Sequence, residues 1–122
     1  MIQQEGPGWR LAHDLSRNGY SFLIGGGFWA VELTETEVKG LHALLVELYH
    51  QHSLIRDQLM EEESITLELE QQEWWGCLDG TRDRWALQVV LQGNGIKGRG
   101  LEGAWPAPAA QAFLAALRTV LD

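Results

Sequence analysis

The sequence predicts an α+β fold in which antiparallel strand meanders are each followed by a helix, in the order strands, helix, strands, helix. Three observations carry that expectation. Short alternating apolar and polar runs, broken by turn formers, fill residues 9–33 and 65–91. Between them an apolar seam at helical spacing runs through residues 34–59. A second apolar face at helical spacing, formed by Ala110, Phe113, Leu114, Leu117 and Leu121, closes the chain. With 122 residues, the chain is most simply one domain, large enough to bury a core without disulfides or a structural metal.

In the first block Trp9–His13 reads as a strand. Residues 20–24 and 28–33 are two more, joined through Gly25, Gly26 and Gly27, where absent side chains permit a tight turn. The helix that follows has a well-specified start. Thr34 and Glu37 form the T-x-x-E pattern of a capping box, each side chain satisfying a free backbone amide. Val38, Leu41, Leu45, Leu48, His52, Ile55 and Leu59 then recur at alternating steps of three and four, on one helical stripe. A helix over residues 34–59 would be about 39 Å long, more than a domain of this size needs to cover its own sheet. The excess length predicts a partner, and it makes the seam a candidate for either the core or a dimer interface.

After the helix, Ile65, Leu67 and Leu69 alternate with Thr66, Glu68 and Glu70, a half-buried strand with an acidic outer face. Residues 74–78 and 85–91 are the next two strands, separated by the turn signal Asp79-Gly80-Thr81-Arg82-Asp83. The glycine-rich residues 93–103 lead to Trp105 and Pro106, with residues 93–98 read as a flexible hairpin connection and proline favoured in the first turn of the closing helix. Gly27-Phe28-Trp29 before the first helix and Gly103-Ala104-Trp105 before the second are similar enough to suggest an internal duplication.

The formal net charge of −8 is unevenly placed. Asp57, Glu61, Glu62, Glu63, Glu68, Glu70, Glu73 and Asp79 lie in a stretch without Lys or Arg, whereas Arg82, Arg84, Lys97 and Arg99 follow with only Asp83 among the acids up to Arg99. A net acidic chain repels nucleic acid and anionic membranes. The lone Cys77 forms no internal disulfide and fits a reducing compartment. The sequence has no basic leader followed by an apolar run, and no apolar stretch near the roughly 20 residues that span a bilayer. A soluble cytoplasmic protein is therefore expected.

Residues that could carry chemistry are few. Gly93-Asn94-Gly95-Ile96-Lys97-Gly98 spells G-x-G-x-x-G after a strand, yet Gly100 and Gly103 intervene before any helix that could present its amides to a pyrophosphate. Backbone amides with Lys97 and Arg99 are a weaker phosphate site. Six tryptophans offer surfaces that stack bases when set among cations, and Trp85 beside Arg84 is the best such pairing. Core or interface packing is the commoner use of so large a ring. Glu47 and His50 form an E-x-x-H pair, too few ligands for a metal. Cys77 has no neighbouring base. No catalytic residue, cofactor or metal is assigned.

Gly6-Pro7-Gly8-Trp9-Arg10, Trp29-Ala30-Val31-Glu32-Leu33-Thr34 and Arg99-Gly100-Leu101-Glu102-Gly103-Ala104-Trp105 together resemble a small cyanobacterial family of unknown function. By fold, its members look like relatives of the Whirly and positive-cofactor group of single-stranded DNA-binding transcriptional regulators. The resemblance implies curved antiparallel sheets built from repeated strands-then-helix units, associated through helices. Lys97-Gly98-Arg99-Gly100 faintly resembles the basic-glycine motif that Whirly proteins use against DNA, but comes late in the chain rather than early.

The expected function is a homodimeric interaction or regulatory module with an unidentified protein partner. One alternative is a single-stranded nucleic-acid-binding regulator using Arg82, Arg84, Trp85, Lys97 and Arg99. The other is a small-molecule enzyme with carboxylate acid-base chemistry, which requires a pocket with two converging acids.

Overall fold

The computed structural model describes residues 1–93 and 98–122. Its order is β1 (Ile2–Gly6), β2 (Trp9–His13), β3 (Phe22–Gly26), β4 (Ala30–Leu33), α1 (Glu35–Ile55), β5 (Ile65–Gln71), β6 (Trp74–Gly80), β7 (Trp85–Leu91), β8 (Leu101–Trp105) and α2 (Ala109–Leu121). The strands form two four-stranded antiparallel meanders, β1-β2-β3-β4 and β5-β6-β7-β8, each followed by a helix. No helix among the described residues is long and apolar enough to cross a membrane.

Two strands exceed the sequence expectation. β1 carries Gln3, Gln4 and Glu5, which mask its alternation, and it folds back on β2 through the Pro7-Gly8 turn. β8 follows the expected hairpin connection, where the sequence reading names no strand, pairing Leu91 with Leu101 and Leu87 with Trp105. Tyr20 and Phe28 fall outside strands, whereas Gly25 and Gly26 belong to β3 rather than to a turn.

The capping box is present as expected: the Glu37 amide donates to Thr34 Oγ1 at 3.1 Å and the Thr34 amide donates to Glu37 Oε1 at 2.8 Å. The far end of the helix differs. α1 stops at Ile55, a single 3-10 turn covers Arg56–Gln58, and Leu59 is extended. With 21 residues, α1 is about 31 Å long. Val38, Leu41, Leu45 and Leu48 are fully buried within this one chain, as is Leu44; Leu59 is buried beyond the helix, and Ile55 is half-buried. Gly76 of β6 lets α1 approach, since a Cβ there would sit 2.7 Å from Leu44 Cδ2. The seam is therefore the chain's own core, packed on β5 and β6, and it offers no face to a second copy. α1 is also shorter than the helix expected over residues 34–59.

α2 packs across β2 of one sheet and β7 of the other. Two tryptophans complete the join. Trp105 of β8 donates from Nε1 to the Gly25 carbonyl on β3 at 2.9 Å, and Trp29, just before β4, donates from Nε1 to the Ala104 carbonyl on β8 at 3.1 Å. Their rings meet at 5.1 Å, and Trp105 stacks on Phe113 of α2 at 4.1 Å. The two similar Gly-x-Trp endings thus meet each other across the sheets.

Trp29 lies against the bare faces of Gly26 and Gly103; a Cβ on Gly103 would stand 2.5 Å from its Cη2. Gly103→Ala should therefore cost about 1–3 kcal/mol by overpacking. In a Trp29→Ala background most of that cost should vanish, because the two residues share one space. Chemical denaturation of the four-member cycle measures the coupling, and additive effects would show that the ring does not fill that space.

Candidate functional site

The end of α1, the β6–β7 turn and one face of α2 enclose a cleft of about 490 Å³. The turn is a fixed piece. The Thr81 amide donates to the Arg84 carbonyl at 2.8 Å and the Arg84 amide donates back to Thr81 Oγ1 at 3.2 Å. Buried His52 reaches it from α1, its Nε2 lying 3.1 Å from the Thr81 carbonyl. A carbonyl only accepts, so Nε2 carries the proton. From α2, Gln111 takes the Trp85 amide at 3.3 Å on Oε1 and donates from Nε2 to the Asp83 carbonyl at 2.9 Å.

The floor is apolar. Trp85 and Leu114 are 4% and 3% exposed, and the Tyr49 ring stands 6.2 Å from Trp85. The rim is cationic. Arg56 donates from Nη2 to Asp83 Oδ1 at 2.7 Å and from Nε to the Arg82 carbonyl at 3.2 Å. Arg82 touches the other Asp83 oxygen through Nε at 3.4 Å. Arg118 donates from Nε to Asp122 Oδ2 at 3.1 Å and lies over the Tyr49 ring at 5.7 Å. The hydrogen bond from Arg56 holds the Asp83 carboxyl below its ordinary range, and the bond to His42, then that from Arg118, does the same for Asp122. Both are fixed carboxylates at neutral pH. Asp57 and Asp83 line the cleft, but Asp83 is committed to two guanidiniums and is no proton donor. A pair of free converging acids is not assembled there.

The structure divides the expected nucleic-acid set. Arg82 is on the cleft rim, Arg84 is exposed at the turn, and Trp85 is buried in the floor rather than open to a base. Lys97 lies outside the described residues. Arg99 is at the opposite end of β7, donating to Glu37 Oε1 at 2.6 Å and Oε2 at 3.0 Å and to the Glu32 carbonyl, with its guanidinium 4.6 Å from the Tyr20 ring centre. It clamps the first sheet to the capping box. Partial burial opposes the charge on Glu37, but hydrogen bonds from Arg99 and Thr34 outweigh it and keep the carboxyl below its usual range. Seven strand residues separate Arg84 from this clamp, about 24 Å at roughly 3.4 Å each.

The remaining motifs take structural roles. Glu47 accepts from Gln51 at 3.4 Å, and no metal-holding group of three or more His, Cys, Asp or Glu occurs among the described residues. Burial, then Glu68 and Asp79, raise the Cys77 pKa and favour the inert thiol. Residues 94–97 of the glycine fingerprint over 93–98 lie outside the described residues, and the next element in the chain is antiparallel β8 rather than a helix.

Arg56 and Arg118 were not singled out from the sequence. The one available signal is the four-residue step from Leu114 to Arg118, which puts a cation beside the apolar face of α2. Arg56 had none, because its neighbours come from residues 82 and 83.

A family model described as Domain of unknown function (DUF1818) matches residues 4–120. The chain belongs to the DUF1818 family. Its fold is also similar to the crystal structure of a protein with unknown function, described as from the DUF155 family, from Prochlorococcus sp. NATL2A. Identity is 43% over 100% of both chains, with a TM-score of 0.93. No curated protein matches this chain. The neighbour supports the two-sheet architecture of this DUF1818 chain, and its description assigns it no function.

Proposed function

We propose that this DUF1818 protein is a cytoplasmic, homodimeric interaction or regulatory module of Whirly-like architecture. The observation that carries the binding role is the α1–α2 cleft, which joins an apolar floor to fixed cations while its Asp83 is locked in ion pairs. Such a site is equipped to hold a partner group and not to move protons. The repeated unit of four strands and a helix supports the Whirly-like reading. Support for a homodimer comes from the resemblance to a group that associates through helices, and from Leu54 and Met60, 64% and 76% exposed near the end of α1.

A nucleic-acid role has less support. The basic residues are split between the two ends of β7, and the outer face of the second sheet sets Glu68, Glu70, Asp79 and Glu102 around Trp75, Cys77 and Val90. A labelled single-stranded oligonucleotide should show no submicromolar binding at about 150 mM salt, since a few phosphate contacts are lost steeply as salt rises. Submicromolar binding abolished by Lys97→Ala with Arg99→Ala would promote the nucleic-acid alternative. Sedimentation equilibrium on the same sample should give twice the 13.7 kDa chain mass; a monomer at micromolar concentration would remove the homodimer from the proposal.

A further inference from the structure

We infer that the α1–α2 cleft is a binding site for a small organic anion, a carboxylate or phosphate monoester carried on a flat apolar body. The volume of about 490 Å³ suits such a molecule, small-molecule sites occupying roughly 300–1,000 Å³. Trp85 and Leu114 supply a rigid apolar floor, fixed from behind by the His52 and Gln111 contacts to the β6–β7 turn. Arg56, Arg82 and Arg118 come from three different elements and converge on the rim.

Charge decides the sign of the ligand. The lining holds these three guanidiniums against the carboxylates of Asp57 and Asp83, and Asp122 pairs with Arg118 beside it, so attraction for an anion rests on the guanidinium atoms that these acids do not use. Asp83 touches both Arg56 and Arg82 and so ties their positions together. Arg82 and Arg118 each use Nε for a carboxylate, and among the described residues their terminal amino groups make no hydrogen bond. At 38% and 42% side-chain exposure, both can be reached from solvent. A guanidinium fork matches the paired oxygens of a carboxylate or phosphate. The acids elsewhere on the surface repel a long polyanion, whereas a small anion meets only the rim.

The inference rests on the proposed reading of the cleft as a place of binding and not of reaction, and one experiment separates the two. Calorimetric titrations of the full chain would use phenyl phosphate, benzoate, inorganic phosphate and, as a cationic control, benzylamine. At least one of the two aromatic anions should bind, more tightly than inorganic phosphate because the ring gains apolar contact with Tyr49, which lines the cleft and is 40% exposed, and benzylamine should not. Which aromatic anion binds better identifies the headgroup. Arg82→Gln with Arg118→Gln should weaken binding about tenfold or more, as expected for lost charge-assisted hydrogen bonds. The melting temperature should hardly move, because exposed ion pairs contribute little. Absence of binding by both aromatic anions, or unchanged affinity in the double variant, would overturn the anion site. Release of phenol from phenyl phosphate would instead overturn the non-enzymatic reading while supporting the anion site.

Discussion

Trp105→Ala should lower the free energy of unfolding by about 3–5 kcal/mol, the range for deleting a buried aromatic, when measured by urea denaturation. The ring is fully buried, stacks on Phe113, tilts against Trp29 and donates to the Gly25 carbonyl of the opposite sheet. Truncation leaves a cavity where α2, β3 and β8 meet, and it leaves a carbonyl without its donor, which itself costs about 1–3 kcal/mol when buried. Trp75→Ala is the internal control. Trp75 is half-buried on the outer face of the second sheet, beside Glu70 and Val90, and its removal should cost about 1 kcal/mol, near the centre of the range for single substitutions. Equal losses in the two variants would mean that the Trp29–Trp105 exchange is not what joins the sheets.

What the sequence revealed was local. The capping box depends on residues three apart, so Thr34 and Glu37 fixed the start of α1 without knowledge of the fold. The end of α1 has no such signal: the apolar step from Ile55 to Leu59 continues the helical spacing although the chain has already turned into a 3-10 segment. Period alone does not distinguish a helical residue from one that packs on the same core after the helix has ended. β8 was hidden for a related reason. Its Gly103 looks like a breaker until the Trp29 ring that needs the empty space is placed against it.

The candidate site was less legible than the fold. Arg84 and Trp85 are neighbours in sequence, but adjacency beside a turn gives the wrong relation, since the arginine is exposed at the turn and the tryptophan is buried in the cleft floor. Arg99 belonged to the same basic stretch and ends far from both, because β7 carries the chain across the sheet before β8 returns it. Charge clustering along the chain is not clustering in space when a strand intervenes. The cations that do converge, Arg56, Arg82 and Arg118, are 26 and 36 residues apart in order, and only the packing of α2 beside α1 brings them together.

Leu48→Ala and Leu45→Ala should each cost about 2–5 kcal/mol. Both side chains are fully buried in a single chain, and Leu48 presses on the second sheet over Gly76, where a Cβ would lie 3.1 Å from its Cδ1. Backbone and neighbouring leucines hold the helix in place there, so little relaxation can close the cavity, and the cost grows with the volume left behind. Leu54→Ala, on the same helix but 64% exposed, should change the stability of the dissociated chain by less than about 0.5 kcal/mol. Protein concentration separates a core seam from an interface. Anything that binds the folded state adds a concentration-dependent contribution to stability, so the effect of an interface leucine fades as dilution dissociates the dimer. For Leu45 and Leu48 the difference from wild type should persist across the dilution series. A difference that disappears on dilution would return the seam to the interface between copies.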